Sequence, residues 1–213
     1  MIIAIDGPAA SGKGTLARKL AEELNYAYLD TGKLYRAVGL NVIRRGGDPD
    51  DPDAATDAAN VLDYNDLEDP ELKSDDAAQA ASKVAVIPEV RASLMAFQKN
   101  FATNPPNAKL GSVLDGRDIG TVVCPEAEVK LFISANVEVR AKRRHKELLD
   151  REEPSIYQRV LADLQERDER DSNRTTAPLK AADDATIIDT SDMTAIVVLN
   201  KALRIVAEKS DSD

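Results

Sequence analysis

The chain has one cysteine, Cys124, and one histidine, His145. A lone cysteine cannot close an intrachain disulfide or supply a zinc site built from several thiolates. A lone histidine likewise excludes a His-rich metal centre. Cys124 therefore reads as a small apolar residue near the end of a loop. His145, between Arg144 and Lys146, carries no pattern that suggests catalysis. Positive charge is also scarce: 28 Lys and Arg stand against 38 Asp and Glu, for a net charge of −10. General nucleic-acid or anionic-membrane binding needs the opposite balance, so neither partner is expected, and any bound anion must be held locally. No stretch has the length or flanks of a signal peptide or a membrane span. With the N-terminus running straight into an apolar strand, a cytoplasmic protein is expected.

What is present suits one main core with room for a small inserted subdomain, since 43% of the 213 residues are apolar. Short apolar runs predict strands at 1–5, 26–29, 110–115, 128–133 and 185–189. Helical spacing predicts helices at 15–24, 34–45, 137–150, 156–170 and 194–209, with Asp30-Thr31-Gly32 stopping the second strand. Further helix starts fall at Ser74 and Pro88. The acidic run "GDPDDPDAATD" reads as a solvated, turn-rich loop, because no glycine or glutamate falls where a calcium loop needs it. The end, "EKSDSD", reads as a fraying tail. Strands alternating with helices predict an α/β fold with a mostly parallel five-stranded sheet flanked by helices. Ligands then bind beyond the carboxyl ends of the strands, on a rim formed by 7–13, 30–31 and 115–118.

Between the first strand and the first helix lies Gly7-Pro8-Ala9-Ala10-Ser11-Gly12-Lys13-Gly14-Thr15, in "AIDGPAASGKGT". This meets the G-x-x-x-x-G-K core of a P-loop, in which backbone N–H groups, a lysine and a helix N-terminus converge on a phosphate. These nine residues are the expected ATP-binding segment. Gly14 stands where a Ser or Thr usually holds Mg²⁺, and Thr15 follows one place later. A generic GTPase or transporter ATPase is disfavoured accordingly.

The form GKGT is frequent among nucleoside monophosphate kinases, and other motifs narrow the likeness. "IDGPAASGKGT", "LDTGKLYRAVG", "QAASKVAVIPEVR", "LDGRDIGTVV", "RRHKEL" and "ERDERDSNRTTAPL" occur in this order. In these motifs the chain resembles the bacterial cytidylate kinases over about residues 3–189, and "DGRDIGTVV" and "RDERDSNR" are the most specific of them. The resemblance implies a P-loop NTPase-type kinase that uses ATP, with Mg²⁺, to phosphorylate CMP and dCMP. It implies a single kinase domain over 1–213: a core at 1–47, 105–135 and 180–209, an acceptor-binding insert at 48–104 and a helical lid at 140–172. The insert is shorter and more acidic than in many relatives, with Leu72-Lys73 where the family has Ile-Arg, so a reduced acceptor subdomain is expected. A monomer is expected. The alternative is a P-loop kinase for another small acceptor, such as UMP or shikimate. A nucleotide-binding switch is a third reading, disfavoured by arginines gathered for a second pocket.

Residue chemistry agrees with a kinase. A nucleotide monophosphate has a second pKa of about 6 and needs no dedicated base. The reaction needs two repelling phosphates aligned, with cations offsetting charge in a loose in-line transition state. Lys13, Arg117 and Arg174 are the expected catalytic cations. The resemblance assigns acceptor binding to Asp30, Thr31, Arg36, Ser82, Arg91, Arg117, Asp118, Arg167, Asp171 and Arg174. Within this set Asp118, Arg91 and Ser82 would meet the cytosine amine, ring nitrogen and carbonyl, and uracil would turn a carbonyl toward Asp118. Arg167, Arg170 and Arg174 share one face if their helix persists that far, although a solvated helix laced by Asp163, Glu166, Asp168 and Glu169 gives the same charge run. Arg140 and Arg144 either reach donor phosphates or belong to a solvated lid helix. Asp115 either holds Mg²⁺ through water or is a structural cap. No direct metal ligand is assigned.

Overall fold

A computed structural model describes residues 1–210, without the side chains of residues 64 and 65. Five strands, β1 (Ile2–Asp6), β2 (Ala27–Asp30), β3 (Ser112–Gly116), β4 (Val129–Ser134) and β5 (Thr186–Asp189), form one sheet in the order β2-β3-β1-β4-β5. Every pairing is parallel, with Ile2 opposite Ser112 and Ile3 opposite Val129. β1 is central, and Ile3, Ala4 and Ile5 are fully buried, which is why it reads as an unbroken apolar run. Alternation sends Ile3 and Ile5 toward α1 (Lys13–Leu24) and α8 (Ala195–Ser210), while Ala4 faces the opposite layer with Leu114, Phe101 and Ile119. Cys124 belongs to that second layer, and burial pushes its thiol up to about 12. It is a packing residue.

A further cluster joins α2 (Thr31–Arg44), α3 (Pro52–Asn60), α4 (Asp75–Val84) and α5 (Pro88–Thr103). The Ser74 hydroxyl accepts from Ala77 N at 3.1 Å and starts α4 as expected. Two expectations are corrected here. The acidic run is a loop only to Asp51; its carboxylate accepts from Asp53 N and Ala54 N, Pro52 occupies the first turn, and α3 follows. Ala55 of that run and Ala58 just after it are fully buried. Nor does the second helix wait for Leu34: β2 stops at Asp30 as expected, and α2 begins at Thr31, whose Oγ1 donates to the Asp115 carbonyl at 2.7 Å and ties the helix start to β3.

The antiparallel-spaced pair α6 (Val137–Asp150) and α7 (Tyr157–Asn173) packs Ala141, Leu148, Val160 and Leu164 around Ala9. His145 Nδ1 lies 2.7 Å from Ser155 Oγ in the connection between them, away from any cavity-lining role. α7 stops at Asn173, and Arg174 has extended backbone (φ −62, ψ 139). The expected single helix face for Arg167, Arg170 and Arg174 therefore does not exist. Leu179 N donates to the Asp171 carbonyl at 2.8 Å as the chain folds back. Of the expected tail, Glu208 to Ser210 belong to α8, and 211–213 lie outside the described residues.

Candidate active site

β1 delivers the chain to the phosphate loop. A Cβ at Gly7 (φ +152) would stand 2.1 Å from the Ile133 carbonyl oxygen, so the loop can pass β4 only with glycine there. Gly12 (φ +91) turns the chain into α1. The loop is tied back by its carbonyls: Ala9 O accepts from Arg140 at 3.2 Å, and Ser11 O from Thr190 Oγ1 at 2.9 Å. In a planar trans peptide the next N–H points the opposite way, so Ala10 and Gly12 present theirs away from these partners. A Cβ at Gly14 would lie 3.1 Å from Asp115 Oδ2, which explains why no larger side chain stands in that position.

Three cavities meet this loop. A central one of about 460 Å³ is lined by nine lysines and arginines, including Lys13, Arg36, Arg117, Arg144 and Arg167, and by only four carboxylates. In a chain of net charge −10, this is a local reversal of sign. A smaller pocket of about 50 Å³ adjoins it, and all ten residues expected at the acceptor site line it, together with Lys13, Tyr35 and Asp115. A third cavity, of about 220 Å³, lies on the far side of the loop against Thr15, Leu16, Met193 and Val198.

The smaller pocket is built around Asp118. Arg91 Nη2 bonds one of its carboxylate oxygens and Arg174 Nη2 lies 3.3 Å from the other, all three side chains being buried. Arg91 also sits 5.7 Å from the centre of the Tyr35 ring, and Arg174 Nε donates to Ala177 O at 2.5 Å. Ser82 Oγ donates to Gln79 O and accepts from Arg170, so Arg170, though off the cavity wall, orients a wall residue. Arg117 Nε bonds Asp171 at 2.9 Å. Burial raises the Asp171 carboxyl, but the charges of Arg117, Arg167 and Arg174 outweigh it and hold the group below its ordinary range.

Toward the central cavity two arginines are left incompletely paired. The Nε atoms of Arg36 and Arg167 are buried without a hydrogen bond, and Arg36 reaches Asp30 only at 4.0 Å. Desolvation, then repulsion from Arg117, pulls Arg167 down to about 10. The same two causes lower Lys13 to about 7, and burial with the neighbouring Asp30 raises Asp115 to about 7. The two cations, Lys13 and Arg167, are disfavoured by burial and by Arg117 in a way that an incoming anion would relieve.

Beyond the phosphate loop, the third cavity carries no sequence motif. Its Arg143 is held by Thr190, through Nη1 to Oγ1 at 3.0 Å and Nη2 to the carbonyl at 2.6 Å. The signal that could have found it is the carboxyl-end rule applied to β5, which delivers Thr190. Arg140 overturns the reading that it reaches donor phosphates. Its fork is spent on Ala135 O, Ala9 O and Asp168, the last bidentate at 3.1 and 2.5 Å. Arg144 does line the central cavity, paired with Asp75 and Glu147. Because Arg140 is the more deeply buried partner, Asp168→Ala should cost about 3–5 kcal/mol of stability. Arg140→Met should cost less, since Asp168 keeps 25% of its side-chain surface in water. Urea unfolding of both variants checks the order.

The cytidylate kinase family model matches residues 3–208. The chain is 60% identical to the cytidylate kinase of Rhodospirillum rubrum over 210 residues, 99% of each protein. The chain belongs to the cytidylate kinase family. The likeness read from "DGRDIGTVV" and "RDERDSNR" is thus borne out over nearly the full length. Solved structures share the fold of this cytidylate kinase family member at far lower identity. An uncharacterized protein from Eubacterium ventriosum aligns over 97% of this chain and 98% of its own, with a TM-score of 0.54 at 16% identity. A gluconokinase from Sinorhizobium meliloti covers 99% and 93%, with a TM-score of 0.51 at 14% identity. Among the described residues no helix is long and apolar enough to cross a membrane.

Proposed function

We propose that this chain transfers the γ-phosphoryl group of ATP to the phosphate of CMP or dCMP, giving ADP and the pyrimidine diphosphate. The observation that carries this is the meeting of a phosphate loop and a pocket around Asp118 at the shared residues Lys13 and Arg117. ATP would lie with its base in the cavity beside Arg143 and its phosphates over 7–15. Arg36 and Arg167, whose Nε atoms lack partners, would take the acceptor phosphate. Asp171, Asp30 and Thr31 would frame the sugar and phosphate. Asp118 would accept from the cytosine amine, with Arg91 and Ser82 donating beside it. An acceptor phosphate oxygen then attacks the γ-phosphorus in line, the bond to the ADP oxygen breaks, and Lys13, Arg117 and Arg174 offset the charge.

Among the described residues no group of three or more His, Cys, Asp or Glu could hold a metal by itself. Mg²⁺ therefore fits as a companion of ATP, keeping phosphate oxygens and water as ligands. Asp115, raised by burial and by Asp30, would hold it through water, and bound Mg²⁺ would lower the repulsion between the two phosphate groups. The division into a core, an acceptor insert at 48–104 and a lid at 140–172, the monomeric state and the cytoplasmic setting complete the proposal.

A coupled ADP-release assay with CMP, dCMP, UMP and shikimate at matched concentrations tests it. CMP and dCMP should be turned over fastest; equal or faster turnover of UMP or shikimate refutes the reading. Proton uptake offers a second check. Lys13 is lowered to about 7 in the free protein, and ATP phosphates favour its ammonium form. At about pH 8 with metal chelated, ATP binding should take up roughly one proton, because the free state holds fewer protons there than the complex. Calorimetry in buffers of different ionisation enthalpy measures it, and Lys13→Met should remove the uptake.

A further inference from the structure

We propose that Asp6 is a positioning residue that sets the choice of pyrimidine without touching the acceptor; this rests on the proposed reading of Asp118 as the group that meets the base. Asp6 is the last residue of β1, is 5% exposed and lines none of the three cavities. Its two carboxylate oxygens accept separately from Ile119 N and Gly120 N, each at 2.8 Å. Those amides open a wide turn at Ile119–Val123, in which Val123 N donates to Asp118 O at 3.2 Å and Cys124 N to Ile119 O at 2.7 Å. A turn of this kind leaves its leading N–H groups without partners of its own. Ile119 and Gly120 are buried, so water does not serve them.

A carboxylate is a costly acceptor for neutral amides in such a place, and burial pushes Asp6 up to about 6. What it secures is the loop just before the turn. On one side of Arg117-Asp118, Gly116 pairs with Asp6 in the sheet and Thr31 Oγ1 holds the Asp115 carbonyl. On the other side, the first amide after Asp118 ends on the Asp6 carboxylate. The two residues are thus strung between anchors that both lead to the end of β1. Loss of the second anchor frees the Asp118 carboxylate to shift against Arg91 and Arg174. Small displacements there matter, because discrimination depends on a donor meeting an acceptor within hydrogen-bond distance.

The test is the ratio of kcat/KM for CMP to that for UMP, in wild type and in Asp6→Asn. The amide keeps the shape but turns an N–H toward one of the two backbone N–H groups. The ratio should fall about ten- to a hundredfold, mainly through KM for CMP, with KM for ATP within about twofold. A folded Asp6→Asn protein with an unchanged ratio overturns the proposal, since a merely structural role would lower the melting temperature and leave the ratio alone. If Asp6→Asn does not fold, Asp6→Glu decides. Its longer side chain keeps the carboxylate but cannot hold Ile119 N and Gly120 N at 2.8 Å from the same place without moving the turn. A lowered ratio supports Asp6 and an unchanged one overturns it. A wild type that shows no preference for CMP overturns instead the underlying reading of Asp118.

Discussion

Lys13→Met is expected to lower kcat by about a hundred- to a thousandfold, the loss seen when one preorganised donor to a transition state is removed. Lys13 is the first residue of α1 and borders both the central cavity and the acceptor pocket. Its ammonium is disfavoured in the empty site by desolvation and by Arg117. A group held in that condition contributes nothing to the empty fold and is fully used only when phosphates arrive. Methionine should therefore leave the melting temperature unchanged or higher, while the ADP-release rate collapses. A variant that keeps most of its activity, or one that unfolds, would contradict this account of Lys13.

The second large effect is expected at Asp118. Asp118→Ala leaves Arg91 and Arg174 facing a pocket with no counter-ion between them, and breaking a buried network in this way costs about 3–5 kcal/mol. The base contact goes with it. For CMP, kcat/KM should fall by about a thousandfold or more, with a smaller fall for UMP, since a site built for one hydrogen-bond pattern rejects its mismatch by large factors. Asp118→Asn separates the two effects. Its amide preserves volume and presents a donor that can meet a uracil carbonyl, so UMP should gain on CMP. An unchanged CMP-to-UMP ratio in both variants would show that the carboxylate does not read the base. Steady-state kinetics with both acceptors, alongside thermal melts, distinguishes loss of fold from loss of selectivity.

Much of this site was legible because its residues sit in local motifs with local consequences. The apolar runs before Asp6, Asp30 and Asp115 marked strands, and the carboxyl-end rule gathered residues that the sheet order indeed brings to one rim. All ten acceptor candidates, scattered from Asp30 to Arg174, line one pocket. The misses have other causes. Asp51 with Pro52 is a helix-start signal hidden inside an acidic run, where the density of charge masks the cap. Arg140 lies on the face expected to reach phosphate, but its partners Ala9 and Asp168 are distant in sequence, and only the packing of α6 on α7 and the loop reveals them. Arg174 was placed on a helix by spacing, whereas its bonds to Asp118 and Ala177 draw it off the end of α7. Arg143 and Thr190 carry no motif.

The central place of β1 bears on how the chain is made. As synthesis proceeds, Ile3 and Ile5 emerge from the ribosome well before their neighbours in the sheet, Val113 and Val129 among them, which follow only after the whole α2–α5 segment. Until then a sticky ribbon with unsatisfied backbone groups travels on the nascent polypeptide, and long-range parallel pairing of this kind closes slowly. The helices from α2 to α5, whose contacts are nearer in sequence, can settle first. The segment that will cradle phosphate is thus translated long before the strands that flank it and is among the last to gain its final shape.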